Sequence, residues 1–165
     1  MLLTDGAPVC AAALAMPRVR VATSMSIEDS LSQGVSLFMA QLLRVRSIVE
    51  TARAQTETEG PVLYLLDEML HGTNSAERRI AARAILRHLL GQVAIGVVST
   101  HDLALADATD LAEVAQRVHF RETVHREGGT TRLDFDYRMR PGLAQTSNAL
   151  ALLEAVGLDS LIVGD

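Results

Sequence analysis

Asp67 and Glu68 are the residues of this sequence that most directly invite a chemical reading. They close the apolar run Val62-Leu63-Tyr64-Leu65-Leu66, and a polar stretch centred on Gly72, His71-Gly72-Thr73-Asn74-Ser75, follows two residues later. A short apolar run of this kind predicts a buried strand, and parallel strands covered on both faces have this composition. Both carboxylates then fall at the carboxyl end of the strand, where open α/β sheets place their ligands. Adjacent acids there suit Walker B chemistry: one carboxylate serves Mg²⁺, directly or through water, and the next orients a water for attack on a phosphate. The plainer alternative is a strand that stops at a solvated acidic turn.

Three further polar segments occupy comparable places. Asp29–Ser36 precedes a helical pattern, Gly72–Ser75 precedes another, and Ser99-Thr100-His101-Asp102 follows a second apolar strand. Backbone N–H groups and the positive dipole end of a helix attract anions, which favours a phosphate near Gly34 and Ser36. Simple helix capping is the competing role for Ser36. His101 is placed to sense a terminal phosphate, against the plainer role of a structural histidine at a strand end.

The elements that must position these groups follow from periodicity. Arg18–Thr23 alternates and predicts a strand. From about Val35, the residues Phe38, Leu42, Val45, Ile48 and Val49 recur at helical spacing, with Arg44, Arg46 and Glu50 on the surface. Ala76–Leu90 predicts a helix with Ile80, Ala84, Leu86 and Leu89 on its apolar side and Arg78, Arg79, Arg83 and Arg87 in solvent, closed by Gly91. Val93–Val98 predicts the next strand, so strand, helix and strand make a βαβ unit with a right-handed crossover. Arg117–Thr123 and Thr131–Arg138 predict antiparallel strands joined across Glu127-Gly128-Gly129, and Ser147–Val156 a short helix with Leu150, Leu153 and Val156 inward.

Composition narrows the classes. The 165 residues suit one domain or a large part of a bigger one, and 48% are apolar, enough for a sizeable core. The formal charge of −5 disfavours a large nucleic-acid face. No stretch has the length and apolarity of a transmembrane helix, and Met1–Gly6 lacks a basic secretory n-region. The single cysteine, Cys10, forms no internal disulfide and fits a reducing, cytoplasmic setting, where a small buried thiol is expected. All 15 basic residues are Arg. A P-loop of the form Gly-x-x-x-x-Gly-Lys-Ser/Thr needs the compact ammonium of Lys, so it is not present here in its usual form. Gly91 and Gly96 have its glycine spacing but are followed by Val97-Val98.

Taken together, Asp29-Ser30-Leu31-Ser32-Gln33-Gly34-Val35-Ser36-Leu37-Phe38, Leu65-Leu66-Asp67-Glu68-Met69-Leu70-His71-Gly72-Thr73-Asn74-Ser75 and Ser99-Thr100-His101-Asp102 resemble the ATPase domain of MutS-family proteins. Phe135–Gly142 with the helix after it is similar to the closing segment of that domain, so the resemblance covers nearly the whole chain. The spelling His-Gly-Thr-Asn-Ser is closer to divergent MutS-like proteins than to the mismatch-repair proteins proper.

The resemblance implies an α/β, ABC-class P-loop NTPase fold: a parallel sheet with helices on both faces and an antiparallel C-terminal edge. Within 1–165 it implies a signature segment at 24–57, Walker B and D-loop at 62–75, a switch-histidine strand at 93–102, and a hairpin with helix at 116–157. By position, Asp67 would assist Mg²⁺, Glu68 would activate water and His101 would sit near the γ-phosphate of ATP. Ser36, with Gly34 before it, would reach the nucleotide of the partner subunit, and Gly72, Thr73, Asn74 and Ser75 would line a homodimer interface. Gln41 stands where relatives often carry an acid. DNA would be bound through upstream domains, and no membrane association is implied. The family's P-loop lies just upstream of the segment matching Leu2–Ala12, so the expectation is an N-terminally incomplete domain lacking a central strand. Two roles follow: the carboxylate half of an ATPase, catalytically incompetent alone, or a non-enzymatic remnant serving dimerisation or interaction.

Overall fold

The computed structural model describes residues 12–25, 37–70, 74–127, 130–144 and 149–158. The chain divides into two compact units, Met1–Leu105 and Ala106–Asp165.

The first unit is built on a parallel sheet of three strands, β1 (Arg20–Ser24), β2 (Val62–Asp67) and β3 (Ala94–Ser99), in the order β1-β2-β3. Helix α1 (Leu37–Ala54) connects β1 to β2, and α2 (Ser75–Leu90) connects β2 to β3. Two crossovers that step the same way across the sheet, each with the near-universal right-handed sense, place both helices on one face. Contact between α1 and α2 agrees with this. So does β2, where Val62, Tyr64 and Leu66 are buried and Leu63 and Leu65 between them are only half-buried.

This corrects the expectation of helices on both faces, as far as the described residues go. Register sets Val21, Leu63 and Ile95 side by side, and likewise Thr23, Leu65 and Val97. Ile95 and Val97 are 50% and 64% exposed. An apolar strand has the same composition whether one face is covered or two, which is why the run Val62–Leu66 did not distinguish them.

The core between sheet and helices is specific. From α1 it takes Gln41, Val45, Ile48 and Ala52, and from α2 Ala82, Leu86 and Leu89. Ile80 (72% exposed) and Ala84 lie outside that stripe, against the expected apolar side of α2. The stripe of α2 runs i, i+4, i+7, one helical face. Gln41 is buried and its Oε1 has no hydrogen-bond partner, a cost of about 1–3 kcal/mol for such a group. Arg44, expected on the surface, reaches back to β1 and donates from Nε to the Thr23 carbonyl at 2.6 Å.

Two glycines are dictated by their surroundings. Gly60, at φ +83°, leads into β2, and a Cβ there would lie 2.3 Å from the Arg18 carbonyl oxygen. Gly96 lies in register beside Tyr64, whose ring covers it so closely that a Cβ would fall 2.0 Å from a ring carbon.

A short helix, α3 (Leu103–Ala106), spans the border of the two units, and the second unit continues with α4 (Thr109–Ala112). It continues with two separate antiparallel ribbons: β4 (Val118–His119) with β7 (Arg140–Pro141), and β5 (Glu122–Glu127) with β6 (Thr130–Phe135). Among the described residues the expected antiparallel C-terminal edge takes the form of two separate two-stranded pairs. The strand expected at Arg117–Thr123 is interrupted at Phe120-Arg121, and the one expected at Thr131–Arg138 ends at Phe135. The cause is local. The Asp136 carboxylate accepts from the Arg138 N–H (3.0 Å) and from the Arg140 guanidinium (3.1 Å to Nη1), and Tyr137 takes φ +53°, so 136–139 fold out of the ladder. These donors hold the Asp136 carboxyl well below the usual carboxylate range, Arg140 contributing most. Helix α5 (Ala149–Ala155) lies against β6, its Glu154 accepting from Arg126 Nε at 2.9 Å. Val156, expected inward, is 69% exposed just past its end.

Candidate functional site

The carboxyl ends of β2 and β3 bring Asp67, Glu68, Ser99 and His101 together. The ladder pairs Asp67 with Ser99, the last residues of their strands. Ser99 Oγ donates to Asp67 Oδ1 and accepts from the Glu68 N–H at 3.2 Å. His101 Nδ1 lies 2.8 Å from Glu68 Oε2, with the His101 side chain 66% and the Glu68 side chain 32% exposed. Two carboxylates, a hydroxyl and an imidazole therefore form one connected group at the mouth of the sheet.

The backbone here is unusual. Glu68 and Leu70 have φ of +46° and +62°, in the left-handed region that costs a non-glycine residue about 1 kcal/mol. Between and after them the chain drives Met69 (8% exposed) and Leu70 (0%) into the core. Burying two large apolar side chains, at roughly 1.5–3 kcal/mol each, offsets that strain. The acid pair is thus presented by a turn that the apolar residues after it anchor.

A second clamp fixes the segment carrying His101. Arg79 on α2 donates from Nε to both Asp102 oxygens, at 2.9 and 3.2 Å. The Asp102 side chain is only 8% exposed, and its Oδ1 also accepts from the Ala104 and Leu105 N–H groups that open α3. Its own N–H donates to Thr100 Oγ1 at 3.0 Å. The Arg79 hydrogen bonds, chiefly, hold the Asp102 carboxyl below its ordinary value, against the opposing effect of burial. Sequence periodicity had placed Arg79 in solvent, and Ser99 and Asp102 only within a polar segment. Their partners lie 23 to 32 residues away, and only the parallel register brings them close.

Of the sequence-predicted residues, Asp67, Glu68 and His101 converge. Asn74 and Ser75 stand at the start of α2, where Asn74 Oδ1 caps the helix by accepting from the Ala76 N–H at 2.9 Å. Gly34, Ser36, Gly72 and Thr73 lie outside the described residues, as does Cys10.

The donor set can be tested against Mg²⁺. Asp67 is exposed, and its Oδ2 is left for a ligand while Oδ1 accepts the hydrogen bond from Ser99 Oγ. Mg²⁺ is commonly held by one or two carboxylates, with water and substrate phosphate completing an octahedron, and Asp67 with Glu68 fits that partial role. No cluster of three or more acidic, His or Cys ligands exists among the described residues. The nucleotide fits less well, because phosphates need a cradle and the chain has no Lys.

A cavity of about 570 Å³ lies elsewhere. It opens at the amino end of the sheet, between Arg18–Arg20 and Gln55–Gly60. Its Glu59 carboxylate is already engaged by Thr56 (2.6 Å from Oγ1), and its charges are mixed. A narrower crevice lined by Glu68, Arg79, Ser99, Thr100 and Asp102 adjoins the chemistry, and position relative to the strand ends decides in its favour.

The arrangement defines an open α/β protein with an acidic pair at the carboxyl ends of its parallel strands. Comparison with known proteins makes this more particular. Residues 2–165 match the family model "MutS domain V", and the chain belongs to the MutS family. It is similar to the DNA mismatch repair protein MutS of Natronomonas pharaonis (28% identity, 87% of this chain and 16% of that protein). The Endonuclease MutS2 of Carboxydothermus hydrogenoformans is 34% identical over 82% of this chain and 16% of its own length. DNA mismatch repair protein MutS 2 of Haloarcula marismortui is 30% identical over 99% of this chain and 16% of its own. The chain thus spans about 16% of the length of these relatives. No helix among the described residues is long and apolar enough to cross a membrane.

Proposed function

We propose that this chain forms the carboxylate half of a P-loop ATPase site in a MutS-family protein, coupling ATP hydrolysis in a dimer to DNA repair. The observation that carries the reading is the convergence of Asp67, Glu68 and His101 at the carboxyl ends of two paired strands, in a chain matched over residues 2–165 by MutS domain V. Relatives named for DNA mismatch repair support the process.

In this reading Asp67 would hold Mg²⁺, directly or through water, and the ion would neutralise phosphate charge when bound. Glu68 orients the attacking water and accepts its proton. His101, hydrogen-bonded to Glu68, holds that carboxylate until a phosphate offers an alternative partner for the ring. Gly34 and Ser36 face the nucleotide of a second protomer, and Gly72, Thr73, Asn74 and Ser75 lie where the two protomers meet. Because positioning and electrostatic stabilisation are nearly all of phosphoryl-transfer catalysis, a chain without the phosphate cradle turns over ATP negligibly by itself.

The test is a graft. This chain replaces the matching segment of the Haloarcula relative, and Mg-ATP hydrolysis is measured beside the isolated chain. The graft should hydrolyse ATP and lose at least about 100-fold in rate on Glu68→Gln, in the range usual for a general base. A folded graft with no hydrolysis would favour the second reading, an interaction module, which the exposed Ile95 and Val97 of β3 support. Turnover by the isolated chain that Glu68→Gln abolishes would refute the incompetence claim.

A further inference from the structure

We infer that Ser99 is a positioning residue for the Asp67–Glu68 pair, a role that rests on the ATPase reading of that pair. Its hydroxyl touches both acids: it donates to Asp67 Oδ1 and accepts from the Glu68 N–H at 3.2 Å. A hydroxyl offers one donor and two acceptor lone pairs, so Ser or Thr can do both at once and Ala can do neither. The register makes the contact unavoidable, since Ser99 and Asp67 are paired and paired residues of a parallel ladder share a face.

The two bonds do different things. The first engages Asp67 Oδ1, which leaves Oδ2 to meet a ligand. The second gives a partner to an N–H that has left the ladder, since Glu68 sits at φ +46° immediately past β2. Two residues on, His101 Nδ1 holds the other end of Glu68 at 2.8 Å. Glu68 is therefore gripped by backbone and by carboxylate from one short segment, Ser99–His101. That segment is tied down by Asp102 beside it, whose side chain is 8% exposed and bonded to Arg79. Preorganisation of this kind, with acids held by partners that are themselves fixed, is what the positioning of a water demands. Loss of the Ser99 hydroxyl releases the backbone of Glu68, and through it the contact between Glu68 and His101.

The experiment is solution NMR on the ¹⁵N-labelled full chain at one pH, comparing the parent with Ser99→Ala and Ser99→Thr. Amide exchange at Glu68 should accelerate about tenfold in Ser99→Ala, the equivalent of one ordinary hydrogen bond. The His101 ring nitrogen resonances should shift in the same variant, while the Leu65 amide keeps its protection. Ser99→Thr should restore both signals. Unchanged Glu68 exchange and His101 resonances in Ser99→Ala would overturn the assignment. So would equal acceleration at Leu65 and Glu68 without rescue by Thr, the pattern of a residue that merely stabilises the sheet. No nucleotide is used, so a failed ATPase graft and a failed Ser99 assignment are separate results.

Discussion

The two faces of the parallel sheet are made from nearly the same side chains and have opposite fates. On one, Val62, Tyr64 and Leu66 lie under α1 and α2 and are at most 5% exposed. On the other, Leu63 and Leu65 are half-buried, and their neighbours Ile95 and Val97 are largely exposed. Stability is thus concentrated on the helix side, while the acidic pair stands at the strand ends between the two faces. A composition that suits burial on both sides does not itself supply two covers. Topology supplies them, and two same-direction crossovers supply only one.

The largest effect should come from the covered face. Leu89 is fully buried between α2 and the sheet, and Leu89→Ala should cost about 2–5 kcal/mol by lost transfer energy and an unfilled cavity. Urea unfolding would measure this, and a loss below about 1 kcal/mol would mean that the helix side is no better packed than the bare side.

What the sequence revealed follows the same division. Local patterns were legible: α2 and β3 start and end within about a residue of their expected bounds, and β2 ends at Asp67, putting the acidic pair at a strand end as expected. Asp67, Glu68 and His101 were singled out from type and position, and the structure brings them together. Long-range consequences were not legible. Ser99 reads as one more polar residue until the register pairs it with Asp67, and Arg79 reads as solvated until Asp102 arrives from 23 residues away. Asp136 folds 136–139 out of the predicted strand through hydrogen bonds that alternation does not encode. Gly96 shared the glycine spacing of a P-loop with Gly91, and the structure gives it another reason: the Tyr64 ring needs its space.

That contact yields the second prediction. Gly96→Ala puts a Cβ into the ring of Tyr64, which is 5% exposed and has little room to move, so the variant should lose about 1–3 kcal/mol as an overpacked core does. Burial raises the Tyr64 phenol pKa, and a displaced ring should titrate nearer its ordinary value in an ultraviolet pH titration. An unchanged melt together with an unchanged titration would show that β3 is not held by the covered face.

A smaller effect is expected where α2 meets the strand ends. Asp102 has a depressed carboxyl pKa, so the folded protein binds fewer protons there than the unfolded chain. Its contribution is fully present above the unfolded value of about 4 and is lost as pH falls through the lower folded value. Arg79→Gln should therefore cost about 1 kcal/mol at pH 7, discounted because Arg79 is 44% exposed, and the difference from the parent should shrink on acidification below pH 4. A constant difference from pH 7 down to pH 2, read by thermal melts, would show that Arg79 acts by packing instead of charge.

The smallest stability effect belongs to the bare face, and it separates the two faces most cleanly. Ile95→Thr with Val97→Thr exchanges apolar for polar side chains at sites already half or more exposed, so the change should stay within about 0.5 kcal/mol. Both substitutions keep β-branched side chains suited to a strand. Self-association should change instead, because an apolar strand and face left uncovered are what other chains adhere to. Sedimentation velocity should show the parent associating with rising concentration and the double variant staying at a smaller, concentration-independent size. If the double variant instead loses about 2 kcal/mol or more, Ile95 and Val97 are buried in solution and the second face has a cover after all. The contrast between the faces would then fail, and with it the support that β3 gives to an interaction module.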